Sequence, residues 1–261
     1  MNLLHLVRRK LATFAATIRA CENWPTVARA RLSASAPIDA LHFRNGLKLR
    51  PMPPLQETWG EIFEPAIADL YGIRACQPDL IVDVGANIGA FTCLAAHAHP
   101  NAQVHAFEPS SPHADRLAEN VALNCLGNVV LHRKAVTKDG RTVVFSQFGA
   151  GGASGIVLQG DGPSTELESV SLGTIDFGSA RFLFLKLDCE GAEGEIIEWL
   201  CANLSRLPPR LQLACEYHHW CPLSSDQLLT LLRAHGFEAE PRTLFDEGYL
   251  FASRNQEKND S

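Results

Sequence analysis

Residues 80–89 read Leu-Ile-Val-Asp-Val-Gly-Ala-Asn-Ile-Gly, an apolar run that ends in two closely spaced glycines. A continuously apolar, β-branched stretch reads as a strand buried on both faces, and the glycines permit a tight turn and close approach of a ligand to bare backbone. Outward from this stretch, strand and helix signals alternate. A helix is expected from about 88 to 98, a strand at 104–108 (VHAFE), a helix from about 112 to 124 and a strand at 129–136 (VVLHRKAV). This is βαβαβ, the pattern of a parallel sheet. Further strands are expected at 141–146, 182–188 (FLFLKLD), 210–216, 236–240 and 248–253, with helices near 192–203 and 224–235. The expected fold class is α/β and Rossmann-like, a mostly parallel central sheet with helices on both faces.

The turn after the first of these strands, Asp83-Val84-Gly85-Ala86-Asn87-Ile88-Gly89, occupies the position where such a fold bends its first loop around a ligand. A dinucleotide-binding G-x-G-x-x-G needs a glycine where Asn87 stands, so a nicotinamide-dependent oxidoreductase is the weaker alternative. No Tyr-x-x-x-Lys pair supports it either. Glu108 ends the next strand nineteen residues after Gly89, where an acid accepts hydrogen bonds from two ribose hydroxyls, and Pro109 follows it. Asp83 is placed to meet the cationic end of the cofactor. The cofactor-binding set is therefore Asp83, Gly85, Ala86, Asn87, Gly89, Glu108 and Pro109. An intact set argues against a third class, a non-catalytic binding protein on the same scaffold.

VDVGANIG followed by AFEPS resembles the cofactor site of class I methyltransferases. Lys186-Leu187-Asp188-Cys189-Glu190-Gly191-Ala192-Glu193 is similar to the K-x-D-x-E-G-x-E signature of the FkbM family. The FRNG stretch at 43–46 and WGEIFEP at 59–65, with Tyr71, also resemble that family, so the likeness covers roughly residues 41–253. It implies S-adenosylmethionine as methyl donor and a hydroxyl acceptor, commonly on a sugar, a glycan precursor or a secondary metabolite.

Lys186 and Asp188 fall at a strand's carboxyl end and Glu190 in the turn that follows; Glu216 ends another strand, with Tyr217, His218 and His219 after it. Ligands of open α/β sheets bind at that edge. Methyl transfer to an alcohol needs a positioned nucleophile and removal of its proton, which makes Lys186, Asp188, Glu190, Glu216 and His218 the catalytic candidates. A histidine titrates near working pH, so His218 is a candidate base. Asp188, Glu190, Glu193, Glu216 and His218 could also bind a hard divalent cation, but their spacing matches no defined metal motif and no metal residue is assigned. Glu193 doubles as an acid at a helix N-terminus, and Lys186 as the ion-pair partner of the carboxylates. The glycine-rich stretch 149–155 (GAGGASG) suggests a mobile loop near the crevice.

Toward the N-terminus, Leu3, Leu4, Val7, Leu11, Phe14, Ala15 and Ile18 recur at helical spacing beside Arg8, Arg9 and Lys10, an amphipathic helix. Residues 22–40 show no period and read as a connector. At 41–50, LHFRNGLKLR places Asn45-Gly46 between two extended runs, the mark of a hairpin. Trp59, Ile62, Phe63, Ala66, Ile67 and Leu70 predict a helix over 57–72. The domain organisation is a basic extension at 1–40, a methyltransferase domain at 41–253 with its core from about 79, and a polar tail at 254–261.

The chain has 261 residues, 46% hydrophobic and 20% charged, with a net charge of -6. No apolar run approaches the roughly 20 residues that span a bilayer. Residues 1–50 hold nine basic side chains against two acids, so they carry +7 and the rest of the chain -13. Without clustered cations in the body of the chain, a nucleic-acid partner is not expected. The basic helix could instead touch a membrane surface or a protein through residues 1–20. Eight scattered cysteines, none in a C-x-x-C pair, suggest buried reduced thiols and a cytoplasmic, or peripherally membrane-associated, location.

Overall fold

The computed structural model describes residues 3–33, 35–56, 58–148, 153–156, 164–218, 221–244 and 247–256. Helix α1 (Leu3–Ala20) covers the amphipathic stretch, and Cys21 and Asn23 lead into α2 (Trp24–Leu32). This second helix replaces the expected connector. It buries only Val27 and Ala30, one turn apart, which is too short a stripe to show a period, and Pro25 starts it with a preset φ. The hairpin forms as expected: β1 (Leu41–His42) pairs antiparallel with β2 (Lys48–Leu49), and Gly46 turns the chain at φ +92°.

The expected helix over 57–72 is cut to α3 (Gly60–Ile62) and a π-helical turn, Phe63–Ile67. Pro65 is the cause, since it has no N–H and crowds the preceding carbonyl. The Ala68 N–H instead donates to the Phe63 carbonyl at 2.8 Å, one residue further back than in an α-helix. The apolar face survives the change, with Trp59, Ile62, Phe63, Ala66 and Ile67 all buried.

The alternating part follows: β3 (Leu80–Val84), α4 (Ala90–Ala98), β4 (Gln103–Phe107), α5 (Ser111–Leu123) and β5 (Val129–His132). The single strand expected at 129–136 splits at Arg133 and Lys134, whose side chains reach outward to Asp115 and Glu168. After the split, β6 (Ala135–Val136) leaves the main sheet. A three-stranded antiparallel patch comes next, with β7 (Val143–Phe148) between β8 (Ala153–Ile156) and β9 (Ser164–Leu167). Part of the glycine-rich stretch is thus strand β8; its residues 149–152 lie outside the described residues, as do 257–261 of the expected tail. Then β10 (Ser169–Val170) pairs parallel with β6. The chain ends with β11 (Phe182–Leu187), α6 (Glu193–Ala202), β12 (Arg210–Tyr217), α7 (Ser225–Ala234), β13 (Glu238–Leu244) and β14 (Glu247–Asn255).

The main sheet runs in the order β13-β14-β12-β11-β3-β4-β5. From β12 to β5 all neighbours are parallel, and β14 is antiparallel to both of its neighbours. This is the expected Rossmann-like class I methyltransferase architecture. Every residue of β3 and β11 is buried, and the strand period of two divides their side chains between two cores. Leu80, Val82, Leu183 and Leu185 join the core under α6 and α7. Ile81, Phe182 and Phe184 join the other, which holds α4, the π-turn and, from the N-terminal segment, Cys21, Val27 and Ala30.

Candidate active site

The turn after β3 owes its shape to two glycines and one asparagine in left-handed backbone: Gly85 at φ +77°, Asn87 at +49° and Gly89 at +83°. What needs the missing side chains is the protein itself. A Cβ on Gly85 would lie 1.7 Å from the Asp188 carbonyl oxygen, and one on Gly89 would lie 2.7 Å from the Leu117 side chain. The expectation that these glycines bare backbone to a ligand is corrected to this extent, because the space belongs to the loop after β11 and to α5. Beyond the turn, the Asn87 N–H donates to one oxygen of Glu108 and the Ser110 N–H to the other, both at 2.8 Å. Glu108 is only 6% exposed, and burial pushes its carboxyl up to about 7 against the pull of these donors and of Lys186.

A cavity of about 350 Å³ opens at the carboxyl end of the parallel strands. Nine of the twelve residues singled out by sequence line it: Gly85, Ala86, Asn87, Glu108 and Pro109 from the ends of β3 and β4, and Lys186, Asp188, Glu190 and Glu216 from the ends of β11 and β12. Asp83, Gly89 and His218 do not. Asp83 is fully buried and cannot face a bound molecule. The register sets Asp83 directly opposite Lys186, on the face of the sheet that α4 covers, so its carboxylate pairs with the Lys186 ammonium at 3.2 Å and accepts the Thr92 hydroxyl. The role first given to Asp83, meeting the cofactor's cationic end, is therefore replaced by that of a buried anchor.

Lys186 is itself 3% exposed. Its ammonium donates to the Gly85 carbonyl at 2.7 Å and lies 3.3 Å from Asp188. Burial would lower its pKa, but the carboxylates of Asp83, Asp188 and Glu216 outweigh it and the group stays charged. Around it stand residues that the sequence did not single out as catalytic. The Tyr71 hydroxyl lies 3.1 Å from Asp188 and 3.2 Å from Glu216, and the Tyr249 hydroxyl 3.2 Å from both Glu64 and Glu216. Glu61 and Glu64 line the cavity from α3 and the π-turn. Burial raises the Glu61 carboxyl to about 7, against a hydrogen bond with Asn87. Two acids three residues apart inside an otherwise apolar helical run were the available signal for this wall.

His218 is clamped from both sides. Its Nδ1 lies 2.9 Å from the fully buried Glu193, and its Nε2 lies 3.3 Å from Glu190 and 4.0 Å from Asp188. Burial pulls its pKa down, but the Glu193 hydrogen bond and the charges of Glu190 and Asp188 prevail and push it up to about 9. At neutral pH it is an imidazolium with both nitrogens donating. Glu193 also accepts the N–H groups of Cys189 and Gly191, so it binds the loop after β11 to the end of β12. Glu190 sits in that loop at φ +59°. Among the described residues, Asp188, Glu190 and His218 form the set that could hold a metal ion, with ligand atoms within 4.8 Å of one another. His219 lies outside the described residues.

Comparison with known proteins places this geometry in context. The family model of the methyltransferase FkbM domain matches residues 83–239. A methyltransferase of Sordaria araneosa, sdnD, is 30% identical over 179 residues, covering 55% of this chain and 68% of that protein. The 31-O-demethyl-FK506 methyltransferase FkbM of Streptomyces tacrolimicus is 42% identical over 55 residues, 21% of each chain. Among solved structures, an S-adenosylmethionine-dependent methyltransferase of Aquifex aeolicus superposes with a TM-score of 0.46 at 13% identity, over 76% of this chain and 93% of that one.

Proposed function

The chain belongs to the FkbM family of S-adenosylmethionine-dependent methyltransferases, and from that premise we propose that it methylates a hydroxyl of a sugar, a glycan precursor or a secondary metabolite. The observation that carries the proposal is one cavity lined by two sets of groups, the residues that the sequence assigns to the cofactor and a cluster of carboxylates. The Streptomyces relative supports a hydroxyl, since its name makes an O-demethylated compound its acceptor.

The first set fits the cofactor. Each oxygen of Glu108 has accepted one backbone N–H, and a carboxylate oxygen has a second lone pair to offer a ribose hydroxyl. Ala86, Asn87 and Pro109 would pack beside it. When bound, S-adenosylmethionine supplies an electrophilic methyl group on a sulfonium. In the same cavity, the carboxylate cluster would hold the acceptor hydroxyl and take up the proton that it gives up on methylation.

Glu190 is the residue we assign as base. Asp188 is held by Lys186 and Tyr71, Glu216 by Tyr71 and Tyr249, and Glu190 by His218; of the three side chains Glu190 is the most exposed at the cavity, 33% against 27% for Asp188 and 12% for Glu216. His218 is already protonated, so its part is to hold Glu190 and Asp188 in place as a fixed positive charge. Lys186 positions Asp188 and joins it to the turn after β3.

The test is methyl transfer from labelled cofactor to a panel of hydroxylated acceptors. Glu190→Gln is expected to lower kcat by about 10²–10⁴, the range of general-base catalysis, with cofactor affinity unchanged. Turnover is expected to persist in EDTA, because Lys186 and His218 already supply positive charge to the carboxylates. Full turnover in Glu190→Gln would remove it from the mechanism. Activity lost to EDTA and restored by magnesium would recast Asp188, Glu190 and His218 as ligands.

A further inference from the structure

The large apolar side chains that the described residues leave exposed gather at the N-terminal end of the chain. Leu11 is 62% exposed, Phe14 41% and Leu32 88%; the fourth, Val130, lies elsewhere. Leu11 and Phe14 are three residues apart on α1, hence neighbours on one helix face. The same two helices hold Arg8, Arg9, Lys10, Arg19, Arg29 and Arg31, with Glu22 the one acid between residues 3 and 32. Arg19 and Arg29 are exposed.

Among the described side chains, those on the other side of the helix pair are packed against the rest of the fold. Thr17 and Cys21 are buried, and Cys21 bridges to Phe43. The Asn23 side chain bonds Ala40 and His42, and the Arg31 guanidinium stacks 4.2 Å above Trp59. The exposed apolar groups are thus not a failed inner face. They stand outward on a rigidly attached pair of helices that is rich in cations.

We propose that α1 and α2 form the face by which this protein lies on an anionic membrane. Leu11, Phe14 and Leu32 enter the boundary between headgroups and acyl chains while the basic side chains other than Arg31, which stacks on Trp59, meet lipid phosphates. The charge distribution favours this occupant over a second copy of the chain. Residues 3–32 carry +5, so two such faces brought together would repel. Residues 51–261 carry -13, so the same membrane repels the body of the protein and orients it. The helix pair also packs on the segment that lines the cavity. Ala16, Ala20 and Trp24 pack on the core cluster that contains Trp59, Ile62 and Phe63, and Gly60, Glu61 and Glu64 of that segment line the cavity wall. The docking surface does not depend on the identity of the acceptor.

Co-sedimentation of the full chain with vesicles of phosphatidylcholine and phosphatidylglycerol in equal parts tests the proposal. The protein is expected to pellet with these, to pellet much less with phosphatidylcholine alone, and to be released by high salt. Arg8→Glu/Arg9→Glu/Lys10→Glu is expected to weaken partitioning by about 100-fold, at roughly fivefold for each basic residue removed. Leu11→Ser/Phe14→Ser should weaken it about tenfold or more, at a temperature where circular dichroism shows the variant folded, since Phe14 also packs edge-on against Trp24. Val130→Ser is expected to bind as the parent does. Undiminished pelleting of the two N-terminal variants, or equal pelleting on neutral vesicles, would overturn the proposal. So would a concentration-dependent dimer in sedimentation velocity that Leu11→Ser/Phe14→Ser abolishes.

Discussion

At Gly85 the backbone angle and the packing make the same demand. The residue sits at φ +77°, and a methyl group there would overlap the Asp188 carbonyl oxygen. Gly85→Ala is expected to destabilise the fold by roughly 3–5 kcal/mol, the sum of a left-handed penalty and an overpacked contact, read from the urea midpoint. A parent-like midpoint would mean that the loop after β11 does not lie on this turn. His218 makes a different prediction. Its pKa rises from 6.5 to about 9 on folding, so its ion pairs stabilise the protein in full below pH 6.5 and are lost as the pH rises through 9. Stability of the parent should fall by up to about 3 kcal/mol more than that of His218→Gln across that window, at 1.36 kcal/mol per pKa unit, the variant keeping only the slope of other groups such as the Glu61 and Glu108 carboxyls near 7. A parent curve without that excess would mean a neutral imidazole and return His218 to candidacy as base. Residue types near the strand ends were legible in the sequence. Their charge states were not, because they depend on Glu193 and Lys186 being buried against particular partners.

Among the elements, the strands of the main sheet were legible because burial on both faces leaves a continuous apolar run, as in Leu80–Val84 and Phe182–Leu187. Helix α2 and the π-turn were not, since a stripe of two residues is too short to show a period and Pro65 interrupts a run that otherwise reads as helix. The side wall of the cavity was missed for the same reason: Glu61 and Glu64 come from a segment whose place against the sheet edge follows from tertiary packing. One such packing is carried by amides. Asn120 on α5 and Asn124, the residue that caps its C-terminus one turn later, pair with the backbone of β2 and Arg50 much as another strand would. The Asn120 side chain accepts the Arg50 N–H at 2.7 Å and donates to the Ile88 carbonyl at 2.9 Å, and Asn124 accepts the Lys48 N–H at 2.8 Å. Asn120 is fully buried. Asn120→Ala is expected to cost about 1–3 kcal/mol for the polar groups left unpaired, and Asn124→Ala less because water can replace its bonds. Equal losses in thermal denaturation would mean that the hairpin does not hold α5 in this way.

The whole molecule forms its cavity between parts distant in sequence: the turn after β3, the end of β4, the loop after β11, and the segment from Gly60 to Tyr71. A ligand that touches all of them binds only the folded chain, and so must raise its stability. For a single site the gain is about 2.7 kcal/mol at a ligand concentration one hundred times the dissociation constant. For a chain of this size each kcal/mol is worth roughly 2–4 °C in melting temperature. S-adenosylhomocysteine at that excess is therefore expected to raise the Tm by about 5–10 °C, and NADH at the same concentration to leave it unchanged. Glu108→Ala should lose most of the shift, since a hydrogen bond to a charged group is typically worth ~1.5–3 kcal/mol. The comparison must be made within each variant, ligand against none, because Glu108 also ties Asn87 to Ser110 and its loss lowers the ligand-free Tm as well. A full shift retained in Glu108→Ala would detach that carboxylate from the cofactor, and a larger shift with NADH would mean that the cavity selects a dinucleotide despite Asn87.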